Sequence, residues 1–272
     1  MDDSFYRGRR ILIVGASGGL GEELARQLAA RGAAKLWLAG RNEVRLSALA
    51  DELRRSGAEA AGLPFDVTDG AAREAALARC LADGLDGAFL ACGVAPCKSA
   101  DGLEEPEEIA RCFAANALAP AACLVRLCRG WEGDGRRHFA AVVTSQAGLL
   151  PLPFAPAYAA SKAAMNALGE GLRDRLAEAD TALTLVMPGF FDSPMGRRFV
   201  GKRKWFSLSA AAAAEKALDG TARGKRRCVY PRPLHLAIAL ASLLPRQLVH
   251  PVMRLFAFDT RPDGESFARG RR

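Results

Sequence analysis

The sequence predicts an α/β fold: a single doubly wound parallel sheet with helices on both faces, a three-layer αβα arrangement, followed by a C-terminal helical extension. Three observations lead to this prediction. Short apolar runs alternate with longer segments that carry apolar residues on one helical face. The first apolar run leads into a glycine-rich turn and then a helix. No repeat or break in composition appears before about residue 228. Such alternation is typical of βαβ units with right-handed crossovers.

Six strands are predicted from runs whose length and apolar character are typical of buried parallel strands. They cover residues 11–14, 35–39, 58–65, 86–91, 138–144 and 181–187. The main helices between and after them are predicted over 22–31, 41–56, 106–129, 157–177 and 209–222. Thr68 or Asp69 can cap the helix that follows the third strand. Pro120 lacks a backbone N–H, so we expect the helix over 106–129 to be interrupted or kinked there.

Two segments are expected along the chain. Residues 1–228 form the nucleotide-binding and catalytic domain, and residues 229–272 form an apolar and basic helical extension with a polar tail over 261–272. The apolar run at 234–244 is about half the ~20 residues that a membrane-spanning helix needs. We therefore expect no transmembrane helix in this extension.

Composition narrows the class of function. Net charge is +8, but the arginines are scattered and no nucleic-acid motif accompanies them, so we expect no nucleic-acid partner. Seven cysteines form no Cys-x-x-Cys pair and the N-terminus is polar, so we expect reduced thiols in a cytoplasmic protein. The three histidines, His138, His235 and His250, lack ligand spacing, and we expect no metal site.

The glycine-rich turn follows the first strand and opens the first helix. Glycine permits a tight turn and a close approach of backbone to a pyrophosphate, which then lies at the helix N-terminus. We therefore predict a dinucleotide site, and with it a Rossmann-type fold, at Gly15, Ser17, Gly18, Gly19, Leu20 and Gly21.

The end of the second strand indicates which dinucleotide binds. An acid there is typical of NAD sites, whereas an arginine accommodates the 2′-phosphate of NADP. The chain has Arg41 and no acid at this point, which favours NADP(H) over NAD(H), although Arg41 can also be read as a solvated residue at a helix start. Asp66 and Val67, after the third strand, are predicted to flank the adenine.

Tyr158 and Lys162 lie four residues apart at the start of a predicted helix, so both side chains project from one face. A nearby ammonium stabilises a phenolate, which predicts a lowered pKa for Tyr158 and a role in proton transfer. Ser145 is expected at the carboxyl end of the fifth strand, where parallel sheets bind ligands. Taken alone, the pair is also consistent with an ordinary surface helix.

In combination these elements resemble the short-chain dehydrogenase/reductase family over residues 10–222. The matching motifs, in order, are the glycine turn at 15–21, Asp66-Val67, Asn116, Ser145, Tyr158-x-x-x-Lys162 and the segment from Pro188-Gly189 to Met195. The resemblance implies hydride exchange between a nicotinamide and an alcohol or carbonyl carbon.

The resemblance also implies a role for each residue. Tyr158 is the acid/base, and Lys162 lowers its pKa and holds the nicotinamide ribose. Ser145 positions the carbonyl or alcohol, and Asn116 kinks a helix to hold a water in a proton relay. Cofactor contacts are implied for Tyr158 and Lys162 and for the backbone or side chains of Ala91, Gly93, Pro188, Gly189 and Ser193, the last in place of the family's threonine.

Two positions depart from the family pattern. Val14 replaces a threonine, and Leu90-Ala91-Cys92-Gly93 replaces Asn-Asn-Ala-Gly at the end of the fourth strand. The family's asparagines steady the cofactor site, so that stabilisation must be absent or come from elsewhere. We interpret the chain as a divergent member with a complete catalytic set.

The sequence thus predicts an NADP(H)-dependent oxidoreductase acting on a hydrophobic alcohol or carbonyl, such as a ketone, aldehyde or 3-oxoacyl compound. A catalytically weak NADP(H)-binding redox sensor is the alternative. An extended-family epimerase or dehydratase is disfavoured, because its glycine turn is usually Gly-x-x-Gly-x-x-Gly.

The end of the chain leaves several interpretations open. The loop after Met195 mixes aromatic and cationic residues, which suits either a substrate lid or a solvated loop. The segment 229–258 is apolar with basic flanks. It can form a subunit or lid contact, a peripheral membrane anchor or a cover for the substrate cleft. We expect a homodimer or homotetramer.

Overall fold

The computed structural model describes residues 4–95, 103–152, 155–193, 195, 207–245, 247 and 249, together with the backbone of 199–200 and 259–260. The strands are β1 Arg10–Val14, β2 Lys35–Gly40, β3 Glu59–Pro64, β4 Gly87–Leu90, β5 His138–Val143, β6 Thr181–Pro188, β7 Phe199–Val200, β8 Arg227–Tyr230 and β9 Asp259–Thr260. The helices are α1 Gly19–Ala30, α2 Glu43–Arg55, α3 Gly70–Ala82, α4 Pro106–Phe113, α5 Ala119–Trp131, α6 Pro156–Gly171, α7 Arg173–Glu178, α8 Ala210–Ala222 and α9 Arg232–Ser242.

Seven strands form one parallel sheet in the order β3-β2-β1-β4-β5-β6-β8. The chain winds outward in one direction from β1 and then in the other from β4. The crevice between the carboxyl ends of β1 and β4 is therefore the topological switch point, where open α/β sheets bind ligands. The predicted doubly wound α/β fold is confirmed.

Both faces of the sheet are buried, which explains why the strands are apolar without alternation. On β1, Ile11 and Ile13 join the core under α1, α2 and α8, whereas Leu12 and Val14 join the core under α3, α5 and α6. All four side chains are at most 1% exposed. The sheet thus fixes the carboxyl ends of its strands rigidly on both sides.

The seventh strand of this sheet, β8, was not predicted. It pairs with β6 over four residues, from Leu185 opposite Arg227 to Pro188 opposite Tyr230. Its pattern of exposed, buried, half-buried and buried residues lacks the continuous apolar run of the central strands, because it lies at the edge. The expected domain boundary at residue 228 falls inside this strand.

The helical region Pro106–Trp131 is divided by a π-helical turn over Ala114–Leu118. The break was predicted at Pro120 but lies in the turn before it. Pro120 has no N–H for the carbonyl of Asn116, four residues earlier, and the wider turn is closed by a hydrogen bond from Ala119 N to Ala114 O, five residues earlier. By length and composition the region could cross a bilayer, since an 18-residue window in it has mean hydropathy 1.3, but 44% of that window is buried and α5 packs against α3 and β5.

Beyond the sheet, the backbones of β7 and β9 pair antiparallel, so the segment near residue 260 returns to the loop that follows β6. Six cysteines lie among the described residues, all six are free, and five of them are buried. Most of the loop over 196–206 and the tail over 261–272, for which a lid and a polar tail were predicted, lie outside the described residues.

Candidate active site

The glycine turn after β1 depends on the absence of side chains. Gly15 has φ of +92°, and a Cβ there would lie 2.8 Å from the carbonyl carbon of Ala91 on the neighbouring β4 connection. A Cβ on Gly21 would lie 2.1 Å from the carbonyl oxygen of Gly15. These contacts allow α1 to start close against the sheet, directly above the switch point.

The N-terminus of α1 is open to a ligand. Gly18 is the N-cap and provides no side-chain hydrogen bond to the first N–H groups, which belong to the turn of Gly19, Leu20 and Gly21. A Cβ on Gly18 would touch the carbonyl oxygen of Gly15 at 3.4 Å, which is ordinary packing distance. Uncapped N–H groups and the positive end of the helix dipole together favour an anion such as a pyrophosphate.

The end of β2 lies beside this turn. A Cβ on Gly40 would lie 2.9 Å from the Ser17 hydroxyl, so glycine leaves room for that side chain. Arg41 follows directly and is exposed. The next residue, Asn42, caps α2 by accepting a hydrogen bond from Arg45 N at 3.0 Å. Arg45 pairs with Glu22 at 2.6 Å, which leaves Arg41 as the guanidinium at the strand end.

Asp66 and Val67 follow β3 at the same edge. One oxygen of Asp66 accepts hydrogen bonds from the N–H and hydroxyl of Thr68, at 2.9 and 2.7 Å, and so shapes the turn. Asp69, not Thr68, caps α3 by accepting from Ala71 N and Ala72 N. Val67 is partly buried against the core under α3.

Asn116 lies in the π-helical turn with 1% exposure. Its side-chain amide pairs with the backbone of Val94, accepting from the N–H at 2.7 Å and donating to the carbonyl at 2.9 Å. It also donates to the hydroxyl of Ser161 at 3.0 Å. Ser161 in turn donates to the carbonyl of Tyr158 at 2.8 Å, so Asn116 connects the β4 loop to α6.

This clamp holds the backbone at the end of β4, where the sequence departs from the family pattern. Ala91 N donates to Val14 O at 2.8 Å, which continues the sheet by one residue. A Cβ on Gly93 would lie 3.1 Å from Asn116 Oδ1 and 3.3 Å from Lys162 Nζ. The backbone of this loop is therefore held by Asn116.

Tyr158 and Ser145 share a side-chain hydrogen bond. Ser145 is 8% exposed, accepts from Ala147 N at 3.0 Å and donates to Pro188 O at 3.4 Å. Burial raises the pKa of Tyr158 to about 12, and the bond from Ser145 offsets that only in part. The predicted lowering of this pKa by Lys162 is wrong for the protein by itself, because desolvation of the phenolate outweighs any attraction.

Lys162 is 3% exposed, and its ammonium lies 5.8 Å from the centre of the Tyr158 ring. It donates to Val143 O at the end of β5, at 3.0 Å. Burial lowers the pKa of Lys162 to about 8. Lys162 is thus still mostly protonated at pH 7, and its ammonium lies between β5, Gly93 and the phenol.

The pKa of Lys162 should appear in the stability of the protein. Its ordinary value is 10.5, so between about pH 8 and pH 10.5 the unfolded chain binds more protons than the folded chain, and stability rises with pH in that window. We expect the free energy of unfolding of wild type, relative to Lys162→Met, to rise by about 2 kcal/mol between pH 7 and pH 10. Urea unfolding of both proteins at the two pH values measures this, and parallel pH dependences would contradict it.

Sequence reasoning missed Gln146, which follows Ser145 and is 1% exposed. Its Nε2 donates to Tyr230 O at 2.8 Å, so it ties the Ser145 loop to the end of β8. Gly189 N donates to the same carbonyl at 2.7 Å. No spacing in the sequence signals this link, because the partner lies 84 residues away.

Glu104 was missed for the same reason. The N-cap of α6 is Ala155, which cannot cap a helix, and the carboxylate of Glu104 accepts from Ala157 N at 2.7 Å instead. An acid at a helix N-terminus also interacts favourably with the helix dipole. Glu104 therefore stabilises the helical turn that carries Tyr158.

Glu104→Ala should lower the free energy of unfolding by about 1 to 2 kcal/mol, since it removes a capping bond. Glu104→Gln keeps an acceptor and should lose less. Glu105→Ala is the matched control, because Glu105 is exposed and makes no capping hydrogen bond. Equal stability of the Glu104→Ala and Glu105→Ala proteins in urea would show that the cap contributes nothing.

The structure places every predicted site residue at the carboxyl edge of the sheet or on a helix bordering it. Pro188 ends β6, Gly189 follows it, and Ser193 is 7% exposed further along. The uncapped α1 turn, the bare backbone at Gly93 beside Lys162, and exposed Arg41 together fit a dinucleotide cofactor. Among the described residues no group of three or more histidine, cysteine or acidic side chains could hold a metal.

Comparison with known proteins agrees with this geometry. A family model described as short chain dehydrogenase matches residues 9–204. The chain belongs to the short-chain dehydrogenase family. An uncharacterised oxidoreductase of Streptomyces coelicolor is 30% identical over 241 residues, covering 88% of this dehydrogenase and 94% of the relative.

Two solved structures show the same fold. A short-chain dehydrogenase from Sphingobium yanoikuyae in complex with NADPH has a TM-score of 0.75 and 26% identity, covering 86% of this dehydrogenase and 92% of that chain. A family member from Burkholderia phymatum in complex with NAD has a TM-score of 0.77 and 23% identity, covering 95% and 99%. This dehydrogenase is therefore an oxidoreductase of a fold that binds nicotinamide cofactors.

Proposed function

We propose that this short-chain dehydrogenase reduces a hydrophobic carbonyl compound with NADPH, with Tyr158 as the acid. The observation that carries the proposal is the hydrogen-bonded Ser145–Tyr158 pair beside the buried ammonium of Lys162, at the crevice that begins with the glycine turn. A hydroxyl, a protonated phenol and a cation are the groups needed to bind and protonate a carbonyl oxygen.

In the proposed mechanism the bound nicotinamide supplies the hydride. Ser145 donates a hydrogen bond that orients the substrate oxygen, and Tyr158 donates its proton to that oxygen as the C–O bond becomes an alkoxide. Lys162 lies next to the phenol and stabilises the phenolate that remains. Pro120 has no N–H to donate to the carbonyl of Asn116. We therefore assign Asn116 to hold a water that returns the proton.

The protonation state of Tyr158 agrees with a role as an acid. A phenol with a pKa of about 12 is almost wholly protonated at neutral pH, which suits an acid rather than a base. Oxidation would need a phenolate at rest. We therefore assign Tyr158 as the acid in carbonyl reduction.

The preference for NADP(H) over NAD(H) rests on Arg41. It is exposed at the end of β2, beside the glycine turn, with no acidic residue at that strand end. A guanidinium is suited to a 2′-phosphate, to which it can donate two hydrogen bonds. Structures of this fold have been solved in complex with NADPH and with NAD, so the assignment depends on Arg41.

The hydrophobic character of the substrate is inferred from the rim of the crevice. Phe190 is 41% exposed directly after Gly189, and Phe191 pairs with Leu208 to close the base of the loop over 194–207. We assign a ketone, aldehyde or 3-oxoacyl compound to this rim.

The test is a screen of NADPH oxidation, followed at 340 nm, against ketones, aldehydes and 3-oxoacyl thioesters. We expect turnover with at least one apolar carbonyl and far weaker turnover with NADH.

The altered β4 end favours one alternative, a redox sensor that binds NADPH without turnover. Tight NADPH binding, measured by nicotinamide fluorescence, with no oxidation across the panel would support the sensor and reject the reductase.

We also propose a cytoplasmic homodimer or homotetramer. Ile109, Leu118 and Leu168 are 39%, 62% and 41% exposed on α4, the π-helical turn and α6, and α4 packs against α6. Apolar side chains exposed on adjoining helices favour a subunit contact. The free cysteines agree with a reducing compartment. Light scattering of the purified chain gives the oligomeric state.

A further inference from the structure

Helix α9 is the described helix with no buried residue. Leu236, Leu240, Leu243 and Leu244, which we call the leucine stripe, lie on α9 and on the turn that ends it. They are 61%, 57%, 80% and 53% exposed. Leu240, Leu243 and Leu244 lie four, seven and eight residues after Leu236, which places all four on one helical face. A stripe of four exposed leucines on a helix that packs beside the crevice indicates a surface that is covered in use.

The segment that leads into the stripe is cationic, and one of its cations, Arg232, lies in the first turn of α9. No aspartate or glutamate lies between Asp219 and Asp259 in the sequence. Five cations in the adjoining described segment are exposed: Arg223, Lys225, Arg226, Arg227 and Arg232. Arg226 and Arg227 contact Glu170 at 3.4 and 2.7 Å, so one acid faces this group from α6. The segment that precedes the exposed leucines therefore keeps a positive excess.

A second copy of this chain is a poor occupant for such a surface. A two-fold interface brings the same patch of both copies together, so two patches of the same charge would meet there. An anionic lipid surface instead offers an apolar acyl-chain region for the leucines and negative headgroups for the cations. We propose that the leucine stripe and its neighbouring cations dock this protein onto anionic membranes.

The docked face adjoins the crevice. Helix α9 begins after Pro231, and Leu234 Cδ2 lies 2.7 Å from the position of a Cβ on Gly189. Gln146, next to Ser145, donates to Tyr230 O, two residues before α9. A protein attached through the stripe therefore presents the Ser145 end of its site near the lipid, which gives an apolar carbonyl a route from the bilayer. This last step rests on the proposed function, whereas the docking does not.

Flotation of the full chain with vesicles tests the docking. We expect wild type to float with phosphatidylcholine vesicles that contain phosphatidylserine at roughly one lipid in three, and to remain at the bottom with phosphatidylcholine alone. Leu236→Ser with Leu240→Ser should lower the bound fraction at least tenfold. Arg223→Gln, Lys225→Gln and Arg232→Gln together should do the same. Val44→Ser is the matched control, since Val44 is 79% exposed on α2, and it should float like wild type.

Three outcomes would overturn the docking: wild type that does not float, equal flotation with and without phosphatidylserine, or a leucine variant that floats like wild type. A leucine variant that halves the mass in light scattering would assign the stripe to a contact between copies instead. Turnover of a water-soluble ketone, measured without vesicles, should be unchanged in the leucine variant. A leucine variant that loses flotation but keeps turnover supports the docking and says nothing against the reaction. Wild type that floats but has no turnover contradicts the proposed reaction and leaves the docking intact.

Discussion

Replacing Tyr158 with phenylalanine is expected to lower kcat by at least about 1,000-fold, because the substrate oxygen then has no proton donor. NADPH binding should stay within about tenfold of wild type, because the ring and its contacts are kept. Single-turnover kinetics measures the first value, and quenching of protein fluorescence by NADPH measures the second.

A matched control separates this effect from the loss of any buried hydroxyl. Tyr6 is buried, and its hydroxyl donates to Leu218 O at 2.7 Å on the opposite face of the sheet. Tyr6→Phe should cost about 1 kcal/mol of stability and leave kcat unchanged. If Tyr158→Phe kept wild-type activity, the assignment of the acid would be wrong.

The second large effect is expected at Arg41. Arg41→Ala should raise the Kd of NADPH by about 10- to 100-fold, which corresponds to one charge-assisted contact, and leave the Kd of NADH within about threefold. The physical reason is that only NADPH carries the 2′-phosphate. Isothermal titration with both cofactors measures the two values.

Arg55→Ala provides the control for a general change in charge. Arg55 is exposed at the far end of α2, about 20 Å along the helix from Arg41, and carries the same charge. Its replacement should leave both dissociation constants unchanged. Equal weakening of NADH and NADPH by Arg41→Ala would remove the basis for NADP selectivity.

The pKa values at the site give the proposed acid a simple physical basis. Burial disfavours the charged form of both neighbours, so it raises the pKa of Tyr158 to about 12 and lowers that of Lys162 to about 8. The pair is therefore a neutral phenol beside a lysine that still carries its charge at pH 7. Reduction should become slower above pH 8, as Lys162 loses the proton that stabilises the phenolate.

The sequence by itself determined six of the seven strands of the sheet and most of the site residues at their carboxyl ends. Local signals were sufficient: apolar runs for the buried strands, glycines for the turn after β1, and a spacing of four that places Tyr158 and Lys162 on one helical face. These features depend on neighbours within a few residues, which periodicity and residue type describe directly. The order of the motifs along the chain was also enough to predict the family.

Tertiary structure decided the long-range hydrogen bonds, the pKa values and the edge strand, since these depend on residues far apart in the chain. Asn116 holds the β4 loop, Glu104 caps α6 across 53 residues, and Gln146 reaches the end of β8 across 84. The pKa of Tyr158 was mispredicted because spacing shows the neighbouring cation but not the burial of the phenol. Edge strand β8 was missed because an edge needs no continuous apolar run. Burial and long-range hydrogen bonding are properties of the packed fold, and no local pattern encodes them.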